Sequence, residues 1–446
     1  MSRYMDKSPE IVITGLGVVS SIGSGIDAFW TSLLAGTSGI LPYDGYTCDE
    51  LVEAGVPNPF TGAVKDLDKK RIRPRKSIKV MARDIQLGVA SADYAWENAQ
   101  LNEKTVDPER QGIVYGAMML MADLEEIIPL YKGATTSDGK FDASLFGNNM
   151  DAMYPLWMLK YLPNMTACHI GVANDLRGPS NTLVVGDTGG IGAVIEATRV
   201  IRRGAADVMY AGGCNSSAVP QASTHYKMFP VTQEKENVKN AYIPFDVNRS
   251  GMVVGECAGT TVLETRDSAE KRGVSIYGKV LGYGEATEAV WNPTLDFAPQ
   301  KEDVTIQTEK FTGKCIENAI RIALERAEVK PEELAFVMAN GLGSKFHDQM
   351  EAEAIAKVVG NEVPVTCVSS ATGYAFAGSS AVSVVAAVVA LHNGTIPAIV
   401  NSTNADPACP VKLVMGQSVA IPEDKKATLV ISYNYYGQAA ALVIGK

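Results

Sequence analysis

The segment GPSNTLVVGDTGGIGAVIEATRVIRRGAADVMYAGG, which begins at residue 178, has the layout of a nucleophile turn. An apolar strand leads into a tight turn, and the helix that follows would carry the reactive side chain on its first turn. This position suits a thiol, because the positive end of a helix dipole lowers the pKa of a cysteine. The residue on the turn is Asp187, so the chain presents a carboxylate instead.

A carboxylate at this position has a structural explanation. It can accept backbone N–H hydrogen bonds and complement the helix dipole, and each effect is worth about 1 kcal/mol. The same interactions would lower its pKa and its nucleophilicity. We therefore expect Asp187 to cap the helix rather than to form a covalent intermediate.

Other residues offer weaker candidates for the same chemistry. Cys168 and Cys214 lie in the same half of the chain, but each is predicted to be a small buried residue beside a strand. His169 follows Cys168, and neighbours on a strand point to opposite sides, so the two are not expected to face each other. His347 adjoins Asp348; a solvated loop position is favoured for it over a role as a base.

The composition is that of a globular protein large enough for two structurally distinct halves. The chain has 446 residues, of which 46% are hydrophobic and 20% charged, and it contains 41 glycines. Its formal net charge of -10 argues against general nucleic-acid binding, which depends on clustered Lys and Arg. The longest apolar run, residues 381–391, is shorter than the roughly 20 residues that span a bilayer, so we expect a buried helix and no membrane span.

The cysteines and the first residues indicate a cytoplasmic protein. The seven cysteines are scattered and form no CxxC pair with metal-ligand spacing, so no metal site is expected. Reduced thiols in the cytoplasm are the simplest interpretation. The opening MSRYMDKSPE is polar and unlike a signal peptide.

One segment carries a local excess of positive charge. KKRIRPRKSIKVMAR, residues 69–83, holds eight basic side chains and no acidic one, which predicts a strongly positive face on an acidic chain. These side chains are Lys69, Lys70, Arg71, Arg73, Arg75, Lys76, Lys79 and Arg83.

Strands and helices alternate along the chain. Residues 10–36 predict a strand, a Gly turn and a helix; a dinucleotide fingerprint is disfavoured there, because Ser20 stands at the third glycine position. A helix is predicted at 78–99, a strand at 112–120, an irregular insertion up to 165 and a helix at 190–203. Helix–Gly–strand units recur in the second half, which suggests an internal duplication that divides near 265–275.

Several separated blocks then carry a family resemblance. In the first half they are VITGLGVVSSIG…FWTSLLAGTSGI, RGPSNTLVV, EATRVIRRGAADVMYAGG and IPFDVNRSGMVVGECAGTTVLE. In the second half they are VMANGLGS…DQMEAEAI, VSSATGYAFAGSSA and TIPAIVNSTNADPACP. Along nearly its whole length the chain resembles the β-ketoacyl-acyl-carrier-protein synthases, elongating condensing enzymes of the thiolase superfamily. The resemblance implies an α/β thiolase-like fold with duplicated βαβ halves in a five-layered αβαβα arrangement.

The resemblance also implies a site. In that family a Cys takes the acyl chain, two His assist decarboxylation of a malonyl thioester, and a Lys organises the site. The family's Cys falls on Asp187, its two His on Asn340 and Tyr374, and its Lys on Ser369. Scaffold residues around these positions match the family: Gly178, Pro179, Gly190, Gly341, Asp348, Glu351, Thr372 and Gly373. Asn340 and Tyr374 can still donate hydrogen bonds, which leaves thioester binding or slow decarboxylation possible.

The gate and the acyl tunnel also follow from the resemblance. SYNYYGQAA places Tyr435 at the gating aromatic and Tyr436 where the family has a flexible Gly. AMMLMADL, residues 117–124, reads most simply as core, and the alternative is a tunnel wall formed by Met118, Met119 and Met121.

The family resemblance also implies partners. The family's carrier protein is strongly acidic, so the eight basic residues of 69–83 are candidate carrier contacts, with a plain solvated face as the alternative. No cofactor is expected, since phosphopantetheine arrives on the carrier protein.

The leading hypothesis is a dimeric ketosynthase-like protein of fatty acid or polyketide biosynthesis without condensing activity. It would resemble the chain-length factors that pair with an active ketosynthase, although those commonly carry Gln where this chain has Asp187. The alternatives are an enzyme with altered chemistry (malonyl decarboxylation, hydrolysis or unusual acyl transfer) and a homodimeric acyl-chain or carrier-protein binding protein. The halves are assigned to residues 1–268, with an insertion at about 121–165, and 269–446.

Overall fold

The computed structural model describes residues 9–102, 106–118, 122–225, 229–289 and 311–446. Of the predicted tunnel residues, Met118 is among them, whereas Met119 and Met121 lie outside the described residues.

The strands of the described residues are, in chain order, β1 (Ile11–Ser20), β2 (Gly23–Ser24), β3 (Leu41–Pro42), β4 (Phe60–Thr61), β5 (Gln111–Gly116), β6 (Ser180–Leu183), β7 (Val208–Ser216), β8 (Glu256–Thr265), β9 (Gly278–Thr287), β10 (Leu334–Met338), β11 (Pro364–Thr366), β12 (Thr395–Ile396), β13 (Lys412–Leu413), β14 (Val419–Ala420), β15 (Ala427–Tyr433) and β16 (Gln438–Gly445).

The α-helices are α1 (Ile26–Leu34), α2 (Cys48–Glu53), α3 (Arg83–Asn98), α4 (Leu124–Gly133), α5 (Ala143–Asn148), α6 (Trp157–Tyr161), α7 (Met165–Asn174), α8 (Gly189–Arg202), α9 (Pro220–His225), α10 (Arg266–Arg272), α11 (Lys314–Ala327), α12 (Lys345–Val359), α13 (Ser369–Thr372) and α14 (Ala377–Asn393). None of the helices in the described ranges is long and apolar enough to cross a membrane.

The main strands repeat one topology in both halves of the chain. The first half has the order β1–β8–β7–β5–β6 and the second half the order β9–β16–β15–β10–β11. In each half the first three strands of this order pair antiparallel, and the last three pair parallel. A short antiparallel pairing of β1 with β9, at Val12–Lys279 and Ile13–Gly278, joins the halves. The repeat confirms the predicted duplication.

The helices complete five layers. α3 and α7 cover one face of the first half's strands, α8 and α14 pack against each other in the centre, and α11 with α12 covers the second half's strands. The residue patterns agree with these positions: α14 is buried from Ala377 to Leu391, as a central helix requires, whereas α11 buries one stripe that includes Ile316, Ile320 and Ala323. The predicted αβαβα arrangement is therefore present.

Close approach of the two central helices depends on Gly190. A Cβ added there would lie 2.3 Å from the backbone nitrogen of Ala381, so only glycine fits this contact. The contact brings the start of α8, and hence the turn before it, against the start of α14.

Several predicted elements differ from the observed ones. The helix predicted at 78–99 begins at Arg83, after a 3₁₀ turn at Arg75–Val80, and the strand predicted at 112–120 is β5 and ends at Gly116. The insertion is not irregular, since it contains α4, α5 and α6. Cys168 and His169 lie on α7 rather than on a strand, and Cys168 is exposed, so the prediction of a buried residue beside a strand is wrong for it. Packing of α7 against α3 overrides the β preference of its Thr, Ile and Val residues.

Candidate functional site

The turn that carries Asp187 is tight and buried. Gly186 adopts a positive φ of 64°, and residues Gly186–Thr188 form a 3₁₀ turn that leads directly into α8. The side chain of Asp187 does not cap the helix: Thr188 occupies the N-cap position, and no side-chain hydrogen bond is made there. The expectation of a helix cap is therefore wrong.

The carboxylate of Asp187 instead accepts a hydrogen bond from the hydroxyl of Tyr374. Asp187 is only 3% exposed, and burial raises its pKa to about 6, although the Tyr374 hydrogen bond and the residue's own backbone N–H act in the opposite direction. The predicted lowering of this pKa is also wrong, because loss of water outweighs the hydrogen bonds. The carbonyl oxygen of Asp187 accepts from the hydroxyl of Ser432 at 3.0 Å.

The four predicted site positions lie together in one hydrogen-bonded group. The side-chain amide of Asn340 donates to the Tyr374 hydroxyl at 3.1 Å. The Ser369 hydroxyl donates to the carbonyl oxygens of Asn340, at 3.2 Å, and of Gly341, at 3.0 Å. We call Asp187, Asn340, Ser369 and Tyr374 the Asp187 cluster; each of its residues is buried. Asp187 comes from the first half of the chain and the other three from the second.

Ser432 was not singled out from the sequence, yet it joins this group. Its hydroxyl lies 3.3 Å from the side-chain carbonyl of Asn340 as well as 3.0 Å from the Asp187 carbonyl. The residue lies on β15, at the start of the segment that contains Tyr435. The sequence signal for Ser432 was its place as the first residue of SYNYYGQAA, the segment that contains Tyr435.

Two buried carboxylates hold the loop that follows β10. Glu351 accepts the backbone N–H groups of Asn340, at 2.7 Å, and Gly341, at 3.0 Å, while Asp348 accepts that of Gly343 at 2.9 Å. Burial raises the pKa of Glu351 to about 8 and that of Asp348 to about 6. Asp348 also pairs with the fully buried Arg249 at 3.2 Å. These contacts fix the position of the Asn340 side chain.

His347 is buried on α12, so the prediction of a solvated loop residue is wrong. Its Nδ1 lies 3.0 Å from the Ser344 hydroxyl, and its Nε2 has no hydrogen-bond partner among the described residues. Burial lowers its pKa to about 4, which keeps the ring neutral at physiological pH. Its ring packs against Tyr435 with centroids 4.9 Å apart.

An aromatic chain covers the Asp187 cluster. Tyr435 packs edge-on against Phe229 at 4.7 Å, Phe229 against Phe376 at 5.5 Å, and Phe376 against Tyr374 at 5.4 Å. Met118 packs partly buried in the same apolar group. Tyr436, in contrast, is 58% exposed and lies away from this chain. The structure thus brings Tyr435 and Met118 to the site and leaves Tyr436 outside it.

Two family models, described as β-ketoacyl synthase N-terminal domain and β-ketoacyl synthase C-terminal domain, match residues 8–269 and 296–403. The chain belongs to the β-ketoacyl synthase family. This family membership and the αβαβα layers agree with the resemblance found in the sequence.

Relatives of two kinds are similar to this β-ketoacyl synthase-family chain. A 3-oxoacyl-[acyl-carrier-protein] synthase 2 from Coxiella burnetii is 27% identical over 440 residues and covers 98% of both chains. The tetracenomycin polyketide synthase ketoacyl synthase beta subunit of Streptomyces glaucescens is 28% identical over 442 residues and covers 99% of both. The solved ishigamide ketosynthase/chain length factor is 27% identical, with a TM-score of 0.79, and covers 99% of this chain and 100% of that one.

The basic stretch is less positive than its sequence suggests. Arg71 pairs with Asp93 and Glu97, Arg73 pairs with Asp93 at 2.7 Å, and Arg83 pairs with Glu256 at 2.7 Å. These three arginines therefore serve internal ion pairs. The remaining basic residues are exposed and form no ion pair with any described residue: Lys69, Lys70, Arg75, Lys76 and Lys79.

The buried thiols of this β-ketoacyl synthase-family chain, including the candidate Cys214, offer no ready substitute for a nucleophile. All seven cysteines are free, and burial raises the pKa of Cys214 and Cys367 well above that of an exposed thiol. Within the described ranges no group of three or more His, Cys, Asp or Glu side chains could hold a metal ion. The Asp187 cluster therefore offers a buried carboxylate, a phenol and an amide. The phenol donates a hydrogen bond to the carboxylate and accepts one from the amide.

Proposed function

We propose that this chain has no condensing activity and acts as a chain-length-factor-like partner of an active ketosynthase in fatty acid or polyketide biosynthesis. The observation that carries the proposal is the hydrogen bond from the Tyr374 hydroxyl to the Asp187 carboxylate inside a buried site. A condensing enzyme needs a thiolate there that is accessible to a thioester.

The contacts of the cluster argue against acyl transfer. A carboxylate that accepts a phenol hydrogen bond is a weaker nucleophile, and its acyl product would be a mixed anhydride. The Asn340 amide donates to Tyr374, so a thioester carbonyl would have to break that bond to use this donor. His347 packs behind Tyr435 with no bond to the cluster.

Exposed apolar side chains support a protein partner. They lie on the insertion, α7 and the segment after β6, where Val172 is 69% exposed, Val184 and Phe141 54% and Met158 53%. Strand β6 forms the edge of its sheet and ends at Leu183, next to Val184 in the chain. Exposed apolar groups next to a sheet edge favour burial against another subunit, either a second copy or an active ketosynthase.

The five exposed basic residues of 69–79 support contact with an acidic carrier protein, through charge complementarity. Phosphopantetheine would arrive on that carrier, and the chain would need no cofactor of its own. We assign the protein to the cytoplasm, because its seven cysteines are all free.

Co-expression tests the partner role. The chain should be recovered in a heterodimer with a ketosynthase encoded beside it, and it should change the length of that enzyme's products. Val184→Asp should weaken the heterodimer, whereas Val419→Asp, at another exposed valine on β14, should leave it intact. Recovery only as a homodimer without effect on any ketosynthase's products would favour the homodimeric binding protein instead.

A second test addresses altered chemistry, which the raised pKa of Asp187 favours because a carboxyl group that titrates near neutrality can transfer protons. The purified protein is incubated with malonyl and acyl carrier proteins, and intact masses and released carbon dioxide are measured. We expect neither an adduct nor turnover. Carbon dioxide release that Asp187→Ala abolishes would establish an enzyme and overturn the proposal.

A further inference from the structure

Three arginines converge on one tyrosine ring at a distance from the Asp187 cluster. The guanidinium carbons of Arg199, Arg202 and Arg326 lie 5.0, 5.8 and 5.2 Å from the ring centroid of Tyr283. The arginines come from the ends of α8 and α11, and Tyr283 lies on β9 between them. We call these four residues the arginine platform.

The platform has fewer acidic partners than it has charges. Glu285 pairs with Arg199 at 2.7 Å, and no carboxylate among the described residues pairs with Arg202 or Arg326. The Nε of Arg202 is buried and lacks an acceptor within the same described ranges. A buried donor without an acceptor is destabilising, so an incoming acceptor atom would recover free energy.

The helix ends explain only part of the arrangement. Each arginine lies in the last turn of its helix, where a cation is stabilised by the helix dipole. Cation–π contact with Tyr283 stabilises each arginine further. Neither effect supplies an acceptor for the Arg202 Nε among the described residues.

We propose that the arginine platform binds the phosphoryl group of a small ligand. After the Glu285 pair, two positive charges remain without a counterion, and a phosphoryl dianion carries the matching charge. The planar guanidinium fork donates paired N–H groups to phosphate oxygens, which makes arginine well suited to this ligand. The site is independent of the chain-length-factor proposal, because it uses none of the same residues.

Isothermal titration calorimetry of the full chain tests the site. The ligands are inorganic pyrophosphate and adenosine 3′,5′-bisphosphate, and chloride keeps the ionic strength constant. We expect binding of one ligand per chain. Tighter binding of pyrophosphate would indicate a free polyphosphate, and tighter binding of the bisphosphate a phosphate ester. If neither ligand binds in the millimolar range, the proposal is wrong. The arginines would then be explained by their interaction with the helix dipoles alone.

Variants separate this site from general attraction of anions. Arg202→Gln and Arg326→Gln should each weaken binding at least about tenfold, because each removes a charge-assisted hydrogen bond. Arg326 is exposed, so its variant keeps the fold even if Arg202→Gln does not. The control is Arg321→Gln, an exposed arginine on the same helix, which should leave the affinity unchanged. Equal affinity of wild type and Arg326→Gln would refute the platform as the site.

Discussion

Replacing Asp187 by Asn should stabilise the protein at alkaline pH while changing little in acid. Folding raises the pKa of Asp187 from 3.8 to about 6, so the folded state holds this proton more tightly than the unfolded chain does. The resulting stabilisation is fully present below the unfolded pKa, and it is lost as the pH rises through the folded pKa. Above that, the wild type buries a charge, and the neutral amide of the variant does not.

The size of the effect follows from the two pKa values. Their difference corresponds to about 3 kcal/mol, since one pKa unit is worth about 1.36 kcal/mol. With an unfolding entropy of about 2.1 cal/mol/K per residue, a chain of 446 residues changes its melting temperature by about 1 °C per kcal/mol. The melting temperature of Asp187→Asn relative to wild type should therefore rise by about 3 °C between about pH 4 and pH 8.

Thermal unfolding of both proteins across this pH range measures the difference. Other buried carboxylates, such as Asp348 and Glu351, titrate in both proteins and cancel when the curves are subtracted. Asp66→Asn, at an exposed aspartate, serves as the control and should leave the melting temperature close to that of wild type. Parallel curves for wild type and Asp187→Asn would show that Asp187 does not titrate as a buried group, and would refute the account of the cluster.

Four further substitutions test the site and the contacts around it. Tyr374→Phe removes the donor to Asp187 and should cost about 1.5–3 kcal/mol at neutral pH but much less in acid; a pH-independent loss would contradict the bond. Asp187→Cys should not restore condensation, as product analysis with acyl and malonyl carrier proteins would show; any elongated product would contradict the proposed loss. Arg249→Met leaves Asp348 buried without its ion pair and should lower the free energy of unfolding, measured with denaturant, by about 3–5 kcal/mol. An unchanged free energy would show that the ion pair is dispensable. Gly190→Val should lower the melting temperature through collision with α14, and unchanged melting would contradict that close approach.

The sequence predicted those elements whose pattern is local. The amphipathic helix after Asp187 and the mainly apolar helix at 381–391 are both present, since hydrophobic periodicity and Gly turns define them without long-range information. The family resemblance, rather than periodicity, supplied the layer order and the positions Asn340, Ser369 and Tyr374. The structure places these positions together with Asp187, which sequence spacing alone could not do.

The errors arise where distant groups decide the outcome. The sequence predicts a lowered pKa for Asp187 from backbone N–H bonds and the helix dipole, whereas burial raises it. For His347 the sequence favours a solvated loop position, yet the ring is buried against Tyr435. The charge of Arg83 was counted as free because its partner Glu256 lies 173 residues away.

The Asp187–Tyr374 bond ties together two positions that lie in different halves of a duplicated chain. Loss of the acceptor at 187 or of the donor at 374 leaves the other position with an unpaired phenol or an unpaired carboxylate in the interior, and each costs free energy. Substitutions that remove the acceptor or the donor should therefore be tolerated as pairs rather than singly. Each half has the same topology, but the sequence of one half cannot change independently of the other at these two positions. Substitutions at 187 and at 374 should therefore be compared together.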